Sequence, residues 1–375
     1  MRTRRSTLLG FQPPALGEEE VAAVAETLRS GWLTTGPRSA LLEERSAAFL
    51  EADHVLAVSS GTAAMHLALL ALGVGPGDEV ITSPITWPAT ANVIEHCGAT
   101  PVFGDVQESD LNLDPALVPE LVSPRTKAIL PVHLAGQPAD LDPLLALGVP
   151  VVEDAAHAFE SRYRGRKVGA ISDAACFSLY ATKNVAAGEG GLVATNRADL
   201  AEAVDRMRLT RRGGTARYDQ VSAGFKANLS DVLAAIALVQ LDRLEEHAGR
   251  RERQFALYDE GLAGLEGIRP LDRDPRDTHA RHLYVVRIDA ERAGATRDEY
   301  RRLLAEEELI ATSVHFLPVH RLTWFRERYP RQPPLPVAER AGEEVLSLPL
   351  SPAHAEEDIL DAVEAVRRVH GRLAG

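Results

Sequence analysis

Short apolar runs closed by glycine, proline or aspartate recur through the first half of the chain, at 55–58, 79–82, 101–103, 128–132, 149–153, 174–178 and 192–195. Several, most clearly VPVV ahead of Glu153, lack the polar alternation of a strand with one wet face. A strand apolar on successive residues must be covered on both sides, and parallel sheets flanked by helices provide that cover. The segments between the runs suit helices. TAAMHLALLAL, at 62–72, is built from strong helix formers, closes at Gly73 and enters the turn GVGPGDE, so it can cross over between two strands. The sequence predicts an α/β fold with a mainly parallel mixed sheet between helices.

After Asn228 the pattern changes to a long amphipathic stretch, LSDVLAAIALVQLDRLEEHAGRRERQFALYDEGLAGL, read as a helical spine leaving the first domain. From about 268 onward, isolated strands (283–288 and 310–315) mix with amphipathic helices (297–306 and 358–368). This predicts a smaller C-terminal α/β domain, with the division placed at 1–245 and 246–375. The proline cluster at 330–336 reads as a surface loop.

Composition narrows the function. The chain is 45% hydrophobic and 25% charged, as in an ordinary globular enzyme. Its 41 basic and 54 acidic residues leave a formal charge of −13, which argues against nucleic acid as a partner and leaves room for an anionic small molecule where cations gather locally. The longest apolar stretches, such as 232–239, fall well short of the roughly 18 residues of a membrane span. MRTRRSTLLGF lacks the roughly 7–15-residue apolar core of a signal peptide, so the cytoplasm is the expected location. Cys97 and Cys176 form no Cys-x-x-Cys pair and read as buried small apolar residues. Neither His279 with His282 nor His315 with His320 has supporting ligands in its neighbourhood, and no metal is expected.

Four segments place chemistry at the carboxyl ends of predicted strands, where open α/β sheets bind ligands. In AVSSGTAAM, a strand meets a helix at Ser59, Ser60 and Gly61; the free N–H groups of the helix start suit a phosphate, although an ordinary Ser/Thr cap reads the same way. In SPITWPATAN, Trp87 can lie flat on a planar heteroaromatic ring or serve as a core or lid aromatic. VPVVEDAAHAF delivers Glu153 and Asp154 at a buried strand end, where a carboxylate needs a cation or several donors; a helix cap is the alternative for Asp154, and packing the alternative for His157. In CFSLYATKNVAAGEGG, Lys183 precedes a loop whose Gly188, Gly190 and Gly191 let backbone approach a ligand closely.

Together SSGTAAM, EDAAHA, FSLYATKN and GEGG resemble the DegT/DnrJ/EryC1/StrS family of pyridoxal-phosphate-dependent sugar aminotransferases, of fold type I. The resemblance extends to GEEEVAAVAETLRSGWLTTGP, GPGDEVIT, RTKAILPVHLAGQPADLD and PVAERAGEEVLSLPLSP, and so spans nearly the whole chain. It implies pyridoxal 5'-phosphate (PLP) as cofactor. By position, Lys183 matches the lysine joined covalently to the cofactor aldehyde, and Asp154 the carboxylate paired with the pyridine nitrogen. His157 matches a His-or-Gln position near the ring hydroxyl, Trp87 the aromatic stacked on the ring, and Thr62, Ala63 and Ser178 phosphate-binding positions. Asn228 matches a residue that reaches the phosphate of the other subunit, which implies a homodimer with composite sites.

The resemblance also implies L-glutamate as amino donor and a nucleotide-linked keto-sugar as acceptor. KNVAAGEGG, and Lys226-x-Asn228 where many C3-aminating relatives carry Asn-x-Arg, look more like members acting at C4 of 4-keto-6-deoxy sugars. Leu233 stands where a glutamine is common in the family. His315 matches a recurrent histidine near the sugar pocket. Arg211, Arg212 and Arg217 read either as contacts for the nucleotide diphosphate or as a solvated basic loop. Two other readings stand beside this one: a keto-sugar dehydratase, in whose members the lysine is replaced by histidine, and a non-catalytic PLP-binding or protein-binding module.

Overall fold

The computed structural model describes residues 4–209 and 223–374. Its strands are β1 (His54–Val58), β2 (Glu79–Thr82), β3 (Thr100–Phe103), β4 (Thr126–Leu130), β5 (Val152–Asp154), β6 (Arg162–Tyr163), β7 (Arg166–Lys167), β8 (Ala174–Ser178), β9 (Gly191–Thr195), β10 (Ile268–Pro270), β11 (Tyr284–Ile288) and β12 (Val345–Leu348). The order β3-β2-β4 forms one array and β1-β9-β8-β5 another, and parallel bridges from Ile129 to Val151 and from Val132 to Asp154 join them. β3, β2, β4, β5 and β8 run parallel; β9 runs antiparallel to both β8 and β1. The reversal has a local cause. No helix crosses between β8 and β9, so the chain turns back through the loop that carries Lys183, and a direct return makes an antiparallel neighbour.

Both faces of this sheet are covered. Leu56, Val58, Ala174, Cys176 and Val193 pack with the helices Gly61–Ala71 and Ala89–His96, while Val55, Ala57, Ala175, Phe177 and Leu192 pack with Pro37–Leu50 and Asp231–Asp242. Alternate residues of one strand thus enter two different cores, and each buried Leu or Phe side chain contributes about 1.5–3 kcal/mol. Cys97 and Cys176 are both buried and unpaired by a disulfide.

Three predictions are revised. The spine is two helices, Asp231–Asp242 and Leu244–Leu262, meeting at Arg243, whose ψ of 2° leaves the helical range. Residues 310–315 form only isolated bridges, from Ile310 to Leu9 and from Ser313 to Ser347, because their pairing is divided between two partners. β12 takes the expected strand's place, and β10-β11-β12 is an antiparallel sheet backed by Leu244–Leu262, Arg297–Glu306 and Glu356–Leu373. Pro336 belongs to a helix, Pro336–Glu344, at whose first turn a residue without an N–H is accommodated. Leu9, from the N-terminal segment, packs into the core of this second sheet. Among the described residues, no helix is long and apolar enough to cross a membrane.

Candidate active site

A cleft of about 420 Å³ opens where β1, β5 and β8 end, and residues of the N-terminal segment and of 313–316 close its other wall. Its floor begins at the turn after β1. Ser60 caps the helix Gly61–Ala71, its Oγ accepting the Ala63 N–H at 3.0 Å. The N–H groups of Gly61 and Thr62 stand at the first two helical positions, where no intrahelical acceptor exists, and the helix dipole adds positive potential. Ser60, Gly61, Thr62 and Ser178 line the cleft; Ala63 does not, its N–H being held by the cap. Two glycines permit this turn. A Cβ on Gly61 would sit 3.0 Å from that of Ser178, and one on Gly191 would fall 2.4 Å from the Ser60 carbonyl carbon.

The end of β5 separates its two acids by the alternation of a strand. Glu153 turns away from the cleft and accepts from His133 Nε2 at 2.7 Å and Ser172 Oγ at 2.5 Å. Asp154 turns into it and accepts from Thr90 Oγ1 at 2.7 Å and from the Ala156 N–H at 3.1 Å. The latter bond is a local turn, and no helix follows β5 directly, so the capping alternative falls away. Burial pushes the Asp154 carboxyl upward, opposed by these two hydrogen bonds and by the charge of Lys183.

Lys183 enters the same cleft from the loop after β8, its own N–H bonded to the Tyr180 carbonyl at 2.8 Å. Burial pushes its pKa from the ordinary 10.5 down to about 8, with the Asp154 charge pulling the other way. His157 is buried in the cleft wall, its ring 4.4 Å from that of His282 and 6.1 Å from that of Phe316, centroid to centroid. Its Nδ1 has no hydrogen-bond partner among the described residues, and burial, then Lys183, holds the ring neutral. His315 bonds Ser347 Oγ through Nδ1 at 2.8 Å and lies 5.5 Å from the Phe11 ring; burial, then Lys183, lowers its pKa to about 4. Trp87 stands on the rim, 64% exposed.

Of the expected site residues, Lys183, Asp154, His157, Thr62, Ser178, Trp87 and His315 therefore share one cleft. Asn228 lies outside it, donating to Thr35 Oγ1 at 2.6 Å and accepting from Lys226. Arg211, Arg212 and Arg217 lie outside the described residues. The sequence reading missed Gln12, Thr90, His282 and Phe316, which also line the cleft. The Thr90 hydroxyl is three residues beyond Trp87, but nothing in SPITWPATAN marks which of Ser83, Thr86 and Thr90 reaches Asp154.

These groups fit PLP. An amine with a lowered pKa, a carboxylate held by two donors, a neutral histidine and a helix start with free N–H groups line a single cavity, matching an aldehyde, a pyridine nitrogen, a ring hydroxyl and a phosphate in kind.

The comparisons with known proteins agree. The model of the DegT/DnrJ/EryC1/StrS aminotransferase family matches residues 14–367. The spore coat polysaccharide biosynthesis protein SpsC of Bacillus subtilis is 43% identical, over 98% of this chain and 99% of its own. The PLP form of a Streptococcus pneumoniae protein described as a sugar aminotransferase superposes with a TM-score of 0.92 at 32% identity, covering 98% of this chain and 99% of that one. DesI, solved in the presence of its TDP-sugar product, superposes with a TM-score of 0.90 at 33% identity, covering 99% of this chain and 94% of its own. The chain belongs to the DegT/DnrJ/EryC1/StrS aminotransferase family, and is a fold type I sugar aminotransferase whose cofactor is pyridoxal 5'-phosphate.

Proposed function

We propose that the enzyme moves an amino group from L-glutamate to C4 of a nucleotide-linked 4-keto-6-deoxy sugar, as a cytoplasmic homodimer with two composite sites. The observation that carries amino transfer is the convergence of Lys183 and Asp154 on one cleft. A nucleotide-linked acceptor is supported by the TDP-sugar in the DesI structure, and C4 by KNVAAGEGG and Lys226-x-Asn228. C3 amination is disfavoured by the absence of Asn-x-Arg, and keto-sugar dehydration by the presence of Lys183.

Bound in the cleft, PLP supplies an aldehyde that combines with amines and a protonated ring nitrogen that withdraws electrons from the neighbouring carbon. Asp154, fixed by Thr90 and Ala156, holds the proton on that nitrogen, since an adjacent carboxylate shifts such an equilibrium by roughly 1–3 pKa units. His157, neutral and in the cleft wall, would stand near the ring hydroxyl. Gly61, Thr62 and Ser178 receive the phosphate. Lys183, with its pKa near 8, is an uncharged amine far more often than a solvated lysine at neutral pH, so its Nζ can take the proton from the glutamate Cα and return one. In the second half-reaction the same Nζ moves protons in the opposite order as the keto-sugar becomes an amino-sugar.

Asn228 supports the dimer. It faces Thr35 rather than its own cleft, in a neighbourhood where Trp32, Leu33 and Phe225 are 54%, 49% and 42% exposed, an apolar surface suited to a second copy. The substrate assignment is tested by incubating the enzyme with glutamate and dTDP-4-keto-6-deoxyglucose and locating nitrogen in the product by NMR. Nitrogen at C4 is expected; no nitrogen in the product of this sugar, with amination at C3 of a nucleotide-linked 3-keto sugar incubated in parallel, overturns it.

A further inference from the structure

Behind the cleft a polar chain links Lys183 to residues that the chemistry described above does not use. Asn184, next in sequence to Lys183, is buried, and its Nδ2 donates to Glu160 Oε2 at 2.8 Å and to the Ala280 carbonyl at 2.9 Å. Glu160 is in turn paired with the buried Arg251. The remaining polar atom of the amide, Oδ1, meets His282 Nδ1 at 3.0 Å. His282 is 2% exposed, lines the cleft, and packs against His157 with the two ring planes tilted by 31°.

The donor and acceptor inventory fixes this arrangement. A carboxylate and a carbonyl only accept, so both must face the Asn184 amino group, and rotating the amide would set its oxygen against two other oxygens. Oδ1 therefore faces His282, and Nδ1 of His282 must carry the hydrogen. Burial, followed by His157 and Lys183, keeps His282 uncharged, which leaves Nε2 as a bare lone pair. The Gln12 amide clamps the same residue from outside, donating to the His282 carbonyl at 3.1 Å.

We propose that Asn184 and His282 are positioning residues of the aminotransferase: Asn184 sets the Nδ1–H tautomer of His282, and the His282 ring holds the plane in which His157 meets the cofactor. The pair couples the loop bearing Lys183 to the wall bearing His157, so that amine and imidazole keep a fixed relation. Glu160 and Arg251 anchor the assembly by orienting the amide. This rests on the PLP-dependent reading of the cleft and deepens it.

The test begins on the cofactor-free protein, so that a wrong sugar assignment leaves it untouched. Long-range 1H–15N spectra, with the His282 signals assigned by their loss in His282→Asn, are expected to show Nδ1–H in the parent and a shift toward Nε2–H in Asn184→Ala. An Nε2–H tautomer in the parent, or no change in Asn184→Ala, overturns the proposal. In the PLP-loaded enzyme, Asn184→Ala is expected to lower kcat about tenfold with the KM for glutamate within about twofold, and to move the pH midpoint of the visible cofactor band. His282→Asn keeps a donor for Asn184 Oδ1 but removes the ring, and covers the case in which Asn184→Ala does not fold. It is expected to lower kcat and move the band in the same way, whereas parental values of both in His282→Asn overturn the role assigned to the ring.

Discussion

The two ends of the cleft are built on opposite terms. At the inner end Asp154, His157 and Thr90 are buried and Lys183 is half-buried, each placed by a strand end, a helix or a loop of this chain. At the outer end Trp87 and Tyr180 are 64% and 48% exposed, and Asn228 faces away. The inner end needs no help because a buried charge demands its partners within reach, and folding cannot finish without them. The outer end carries no such demand, and under the proposed dimer its last wall belongs to the other chain. Under the proposed function the proton chemistry is intrinsic to one chain, while retention of the anionic tail is expected to depend on assembly.

Substitutions can break this contrast in graded steps. Lys183→Ala removes the amine altogether, and turnover is expected to fall by 10³-fold or more, with no borohydride-reducible link to PLP. Near-parental turnover would remove the inner end from the chemistry. Asp154→Asn keeps the shape and discards the charge; a loss of about 1.4–4 kcal/mol in transition-state stabilisation, roughly tenfold to a thousandfold in kcat, is expected with far-UV circular dichroism unchanged.

A pH series reads the inner end without any substrate. In the cofactor-free protein Lys183 releases its proton near pH 8 when folded and near 10.5 when unfolded, so between those values the unfolded chain binds more protons and stability rises with pH. The Lys183 contribution across that window is on the order of 3 kcal/mol. Lys167, also lowered to about 8, adds a slope of the same sign, so the measurement is the difference between parent and Lys183→Met in denaturant midpoint against pH. Equal slopes in the two proteins would show that the Lys183 amine is not lowered by its surroundings.

Thr90→Val leaves Asp154 one donor short, and about 1–3 kcal/mol, or tenfold to a hundredfold in kcat, is expected with the KM for PLP little changed. The smallest effect sharpens the outer end. Asn228→Ala is expected to weaken PLP by about 1 kcal/mol, a few-fold in Kd. Co-refolding it with Lys183→Ala chains is expected to raise activity at limiting PLP above that of either variant, since each mixed dimer would hold one intact cleft. No gain on mixing would mean that Asn228 does not serve the opposite chain.

Much of the inner end was legible because buried strands must be written in apolar residues, and a polar group at the end of such a run is conspicuous. Asp154 and Lys183 stand out in that way, and Glu153 shows the limit: it adjoins Asp154 in the same run, and only the pleat decides that His133 and Ser172 receive it. Thr90, Gln12 and His282 were invisible because their contributions depend on contacts between segments 64, 270 and 98 residues apart, which no local pattern encodes. The direction of β9 was likewise hidden: its apolar run reads the same in either sense, and only the missing crossover helix distinguishes them. β12 escaped because it follows the helix Pro336–Glu344 with no intervening residue, so no turn marks where it begins.

The reversed strand has a further consequence for how this enzyme can be altered. By running backward, β9 delivers Gly191 against the Ser60 carbonyl, so the turn proposed to receive the phosphate is wedged between Ser178 on one side and bare backbone on the other. Even a methyl group on Gly191 would force the Ser60 backbone to move. Attempts to retune the enzyme toward cofactor analogues with a different tail must therefore keep Gly191 and work through the side chains that line the cleft beside it, Ser60, Thr62 and Ser178.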